Sequence, residues 1–211
     1  MIWKDDALKA VFPAAVSPED ALEIVSHPGT AYGGLVMSAG VRPSEVPSVI
    51  ESLIDHYTRI GFKRLHVRPS WPWTQSVADQ TMSYELLRRG ATARPWQLIS
   101  VVEVDSDLQL SSRRRRMIRR GLAMTSLRYG TEYLDDFWEI MVSRLRTRHG
   151  TAPTHSLQEL AEIIRRFPDN VLMVTGWADN ELVSGTLVFK EERYFHVQYV
   201  AASDRGRSLG A

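Results

Sequence analysis

The chain has 211 residues, 44% of them hydrophobic and 24% charged, which is enough for one large folded domain or two small ones and excludes a disordered chain. Its 26 basic and 25 acidic side chains leave a net charge of +1, so it is not a protein that binds polyanions through overall charge; any electrostatic recognition must come from local clusters. Cysteine is absent, which removes disulfides, thiol nucleophiles and thiolate metal sites together.

Met1 to Asp6 carries acids where a secretory leader has basic residues, and no apolar run approaches the ~18 residues of a spanning helix, so a cytoplasmic location is expected. The first predicted element is a short strand over Lys9 to Ala15, broken by Pro13, with no helix or strand before it. A turn at His27-Pro28-Gly29 precedes Tyr32-Gly33-Gly34 and the apolar Leu35-Val36-Met37. Val46, Val49, Ile50, Leu53, Ile54, Tyr57 and Ile60 recur at helical spacing, and Gly61 ends that helix. Arg64 to Val67 is a short strand, and the Pro69 to Trp73 loop holds Trp71 and Trp73, which either line a pocket or pack a rigid turn. A second helix, Asp79 to Arg89, closes at Gly90, and Trp96 to Val104 is expected as a buried strand.

The one domain boundary is expected at Asp105-Ser106-Asp107, giving units of residues 1–105 and 106–211. Beyond it, Ser111 or Ser112 caps a helix through about Arg120, followed by a strand from Met124 to Tyr129. Leu134, Phe137, Trp138, Met141, Val142 and Leu145 make the apolar stripe of a helix ending near Gly150. Ser156 and Glu159 form a capping box for the next helix. Val171 to Trp177, an Asp179-Asn180 turn and Leu182 to Phe189 predict a hairpin, with the terminal strand from Tyr194 as a further antiparallel neighbour. Helices alternating with strands indicate a mixed α/β architecture.

Four features could carry chemistry. Arg205-Gly206-Arg207-Ser208-Leu209-Gly210 reads as a loop whose small residues leave N–H groups open to a phosphate; an Arg/Gly-rich surface turn is the alternative. On the terminal strand, His196 is the only imidazole, a group able to carry a proton, and a period of two places it with Gln198 and Val200, away from the core-facing Tyr199. A histidine hydrogen-bonded within the sheet is the other reading. His155, just before the Ser156 cap, projects into a cleft or packs as a staple. Arg113 to Arg116 with Arg119 and Arg120 put six guanidinium groups on one helix, too many for a single face, so some must be solvated or paired with acids elsewhere. Asp135, Asp136 and Glu139 sit on the polar side of a helix and show no pairing that demands acid/base work.

Arg205 to Gly210 resembles the Arg/Gln-x-x-Gly-x-Gly/Ala pyrophosphate signature of the GNAT acyltransferases, with Val200 at the strand end and Ser208 in place of the first glycine. Tyr32 to Val36, Arg113 to Gly121, Pro153 to Ser156, Arg166 to Asn170 and His196 to Ala201 resemble the FemAB/FemX-related branch of that superfamily, in which two GNAT-like domains are fused. The resemblance implies an α/β fold of two GNAT-like mixed-sheet units, each incomplete, with the later part of the first domain up to residue 105 and the earlier part of the second from 106. It further implies an N-acyltransferase in which an amine attacks an activated carbonyl and a backbone N–H of the terminal strand holds the oxyanion. The co-substrate would be acetyl-CoA or another acyl-CoA, with aminoacyl-tRNA as the other donor, and no metal. The acceptor would be a small-molecule or cell-envelope precursor amine. His196 and His155 are the catalytic candidates. Gln198, Val200, Arg205, Gly206, Arg207, Ser208, Leu209 and Gly210 are those for the cofactor, and Arg113, Arg116 and Arg120 those for a phosphate-bearing substrate. With both outer ends missing, weak or no activity is expected of the chain alone. The rival expectation is a non-catalytic basic module that binds nucleic acid or anionic lipid through the Arg113 to Arg120 helix.

Overall fold

In the computed structural model, which describes all residues except 31–32, 76–78, 94–97 and 105–107, the first strand is one the sequence reading passed over. β1 (Ile2–Lys4) runs antiparallel to β2 (Ala7–Val11) through a two-residue turn in which Asp5 and Asp6 have φ of 49° and 58°. Aspartate tolerates that left-handed backbone, which is why two acids can make a tight hairpin turn. Pro13, lacking an N–H, separates β2 from β3 (Ala14–Val16), and β4 (Glu23–Ser26) and β5 (Val36–Met37) follow.

Residues 1–100 and 101–211 form two compact units. The expected boundary residues, 105–107, lie outside those described, as does Tyr32. The first unit has two three-stranded sheets: β1-β2-β5, all antiparallel, and β3-β4-β6, in which β3 is antiparallel and β6 (Arg64–His66) parallel to β4. Between β5 and β6 comes α1 (Val46–Arg59), whose Val46, Val49, Ile50 and Leu53 are buried with Ala10, Phe12, Ile24 and Leu35. These are the stripe residues spaced to share one helix face, and burying such a face is what holds a helix of this length. The chain leaves α1 through Gly61, at φ 99°. Trp71 and Trp73 stack with ring centroids 5.4 Å apart, and α2 (Thr81–Arg88) follows. No strand forms over the described residues of the expected segment, 98–104; Leu98, Val101, Val102 and Val104 are exposed there, so β-branched composition without a pairing partner did not suffice.

The second unit begins with α3 (Ser112–Met124), where Ser111 Oγ accepts the Arg114 N–H at 3.2 Å. It continues with β7 (Ser126–Tyr129), α4 (Leu134–His149) and α5 (Leu157–Arg166). The capping box is formed: Glu159 N–H donates to Ser156 Oγ at 3.2 Å and Ser156 N–H to Glu159 Oε2 at 2.6 Å. β8 (Val171–Ala178) and β9 (Glu181–Lys190) make the expected hairpin, with Asp179 and Asn180 at φ of 49° and 64°. β10 (Phe195–Ala202) completes an antiparallel sheet of order β10-β9-β8-β7. α4 packs on β9 and β10, burying Leu134, Phe137 and Met141 with Leu160, Val171, Met173, Leu187 and Ala201.

After β10 the expected loop is instead a short helix, α6 (Asp204–Leu209). Ser203 caps it, its Oγ accepting the Gly206 N–H at 3.1 Å, and the Gly210 N–H returns to the Gly206 carbonyl at 3.0 Å. Several amides expected to face an anion are therefore used within the helix itself. Both units are mixtures of helix and strand, the α/β class expected from the alternation.

Candidate functional site

β10 is an edge strand, and its register slips in the middle. Val197 pairs with Val188 and Tyr199 with Leu187, so Gln198 is an extra residue outside the ladder, a β-bulge. The bulge resets the alternation on which the sequence reading relied. His196 stands opposite Phe189 and Tyr199 opposite Leu187; because residues two apart on β9 share a face, His196 and Tyr199 lie together on the α4 side. Val200, opposite Thr186, lies on the other face with Val197, so the expected grouping of His196 with Val200 is overturned.

From the bulge onward, Gln198, Tyr199, Val200, Ala201 and Ala202 all line one cleft of about 690 Å³. Leu127 of β7 lines it as well, so all four strands of the sheet contribute to the cleft. β8 and β9 contribute small residues, Thr175, Gly176, Ser184, Gly185 and Thr186, and the far wall is the 151–154 segment. Arg144, Arg148 and His149 enter from the last turns of α4, and Arg207 and Ala211 from the chain beyond β10. Three arginines line the cleft and, among the described residues, no Asp or Glu side chain does, so the side chains there favour an anion. Arg207 also donates to Asp204 at 2.7 Å, whereas Arg144 and Arg148 make no ion pair among the described residues.

The two candidate histidines hold neighbours of the cleft in place. His155 Nδ1 lies 2.8 Å from Tyr199 Oη, and the His155 backbone N–H donates to the same oxygen at 3.3 Å. The Tyr199 ring is edge-on to both His155 and Trp138, so the segment between α4 and α5 is fastened to the edge strand by one hydroxyl. His196 lies with Nε2 3.1 Å from Gln198 Oε1 and stacks on Phe189, orienting the bulged side chain.

The fold has a solved counterpart. It aligns with the C-terminal domain (DUF2156) of a candidate lysylphosphatidylglycerol synthetase from Agrobacterium fabrum, at TM-score 0.60 and 10% identity, over 96% of this chain and 61% of that one. The chain thus spans about three fifths of that structure's length, and the likeness is one of fold. No family model and no curated protein matches the sequence.

Of the residues expected at the site, Gln198, Val200 and Arg207 line the cleft, and His155 reaches it through Tyr199. Arg205 turns away: its guanidinium pairs with Glu181 at the start of β9 and with Asp179 of the β8–β9 turn, and hydrogen bonds to those carboxylates, Glu181 foremost, raise it above its ordinary value. Gly206 is buried against the Val183 carbonyl, Ser208 Oγ donates to the Arg205 carbonyl at 2.7 Å, and Leu209 and Gly210 close the helix. Arg113, Arg116 and Arg120 are exposed on α3 and do not line the cleft. Arg144, Arg148 and His149 escaped the sequence reading, although Arg144 and Arg148 are four apart and so share a helix face, which was the available signal. Among the described residues, no three His, Asp or Glu side chains are grouped to hold a metal ion.

Proposed function

We propose that this protein transfers an acyl group from a phosphate-bearing donor, an acyl-CoA or an aminoacyl-tRNA, to an amine held in the β10 cleft. The observation that carries this reading is a bulged edge strand lining a cleft whose charged side chains, among the described residues, are all cationic. The bulge sets Gln198 outside the one-to-one register, and in this reading its N–H is the donor to the developing oxyanion, the role that the resemblance to GNAT acyltransferases implies for a backbone N–H of the terminal strand. Arg144 and Arg148 meet the donor's phosphate. The amine lone pair attacks the activated carbonyl carbon, and the tetrahedral intermediate collapses with cleavage of the bond to the sulfur or oxygen of the carrier. The amine proton passes through cleft water to the Tyr199–His155 pair and from there to the departing sulfur or oxygen, so the carrier leaves as thiol or hydroxyl. The name of the solved counterpart, a lysylphosphatidylglycerol synthetase, supports acyl transfer in general, while the donor and the amine acceptor are assigned by this reading alone.

Calorimetric titration with acetyl-CoA and with aminoacyl-tRNA tests the donor site. Binding of one of them should weaken by about tenfold or more in an Arg144→Gln/Arg148→Gln variant, as expected when a charged hydrogen-bond partner is lost. Binding of neither donor, or equal binding by wild type and variant, would overturn the assignment.

A further inference from the structure

The most heavily charged element of the chain has no role in the cleft. α3 carries six arginines within eight residues and no acid, and every residue from Ser112 to Met124 except Gly121 is exposed. None of the six forms an ion pair among the described residues, and all six are exposed, so of the two expected alternatives, solvation or pairing with acids, it is solvation that the described residues show.

The arrangement around the helix is two-sided. At about 100° per residue, Arg113, Arg115, Arg116, Arg119 and Arg120 fall within an arc of roughly 160°, while Met117, Ile118, Leu122 and Met124 share the opposite arc with Gly121, where Arg114 is the exception. The middle of the apolar arc is spent on a narrow seam: a Cβ at Gly121 would stand 2.5 Å from the Gly210 carbonyl oxygen, so the chain end packs directly on the helix backbone. On either side of that seam Met117 and Ile118 remain 41% exposed, Met124 52% and Leu122 60%. A helix kept only for solubility has no use for four exposed apolar side chains, and neither has one that only neutralises phosphates along a nucleic acid. An anionic lipid interface satisfies both sets, with guanidinium groups at the headgroup phosphates and the apolar side chains at the acyl boundary.

We infer that α3 is a peripheral docking helix that seats the protein on an anionic lipid surface, led by the Ile118–Leu122 flank with Arg115 and Arg119 beside it. Ile118 and Leu122 are four apart, as are Arg115 and Arg119, so the two rows run side by side along the helix.

The test is flotation of the full chain with vesicles of phosphatidylcholine alone and of phosphatidylcholine mixed equally with phosphatidylglycerol. Binding to the mixed vesicles only, falling steeply with salt, is expected. Arg115→Gln/Arg119→Gln and Ile118→Gln/Leu122→Gln should each weaken it about tenfold or more, whereas Arg115→Lys/Arg119→Lys, which keeps the charge, should retain most of it. All these positions are exposed, and circular dichroism checks that each variant keeps the wild-type fold. Absence of binding to the mixed vesicles at low salt overturns the inference. So does Ile118→Gln/Leu122→Gln binding as wild type, and in that case tight binding of duplex RNA by the same variant assigns the arginines to nucleic acid instead.

Discussion

Phe137 is fully buried between α4 and the sheet, and Gly185 makes room for it: a Cβ there would lie 2.5 Å from the ring. Gly185→Ala should therefore destabilise the protein by about 1–3 kcal/mol through overpacking, seen as a lower urea midpoint with an unchanged slope. Gly185 also lines the cleft, so Gly185→Ala bears on the site as well as on packing. Tyr199 carries a different kind of weight, since its hydroxyl contacts both the ring and the backbone N–H of His155. Tyr199→Phe keeps the ring against Trp138 but removes that oxygen; turnover should drop about a hundredfold with little change in KM. Unchanged turnover would show that the pair is only structural. Neither role was legible beforehand, because period-two counting set Tyr199 opposite His196, and a single inserted residue at Gln198 reverses that relation without any mark in composition.

Among the elements, α5 was the most legible because its signals are local. Ser156 and Glu159 are three residues apart, the spacing at which side chain and backbone reciprocate. Ser156→Ala should cost about 1 kcal/mol in chemical unfolding. Farther along the same helix, hydrogen bonds from Arg165 and then Arg166 lower the Glu162 carboxyl to about 2. A carboxyl with a depressed pKa in the folded state contributes stability that is fully present above its ordinary value near 4.5 and is lost as pH falls toward 2. The urea midpoint of wild type should thus fall between about pH 5 and pH 2.5 by more than that of Glu162→Gln, and equal falls would contradict the assignment. β1 and α6 were missed for a common reason: three and six residues are too few to show periodicity, and only their turn and cap residues, Asp5-Asp6 and Ser203, announced them.

At the level of the whole chain, α/β alternation and the glycine-terminated helices could be read directly, since each depends on neighbours within a few residues. The cleft could not, because its walls come from α4, the 151–154 segment, four strands and Arg207, which only folding of the second unit brings together. The expected phosphate loop illustrates the difference: its residues match a linear signature, yet Arg205 is held by Glu181 and Asp179 while Arg144 and Arg148, from a helix about sixty residues earlier, line the cleft. Acyl transfer at that cleft is the central claim, and single-turnover transfer of a radiolabelled acyl group to a primary amine tests it most directly, with acetyl-CoA and aminoacyl-tRNA as alternative donors. Label should reach the amine from one donor, and at subsaturating donor the rate should fall about tenfold in Arg144→Gln/Arg148→Gln but not in Arg115→Gln/Arg119→Gln. No transfer from either donor, or transfer indifferent to the cleft arginines, would contradict the account.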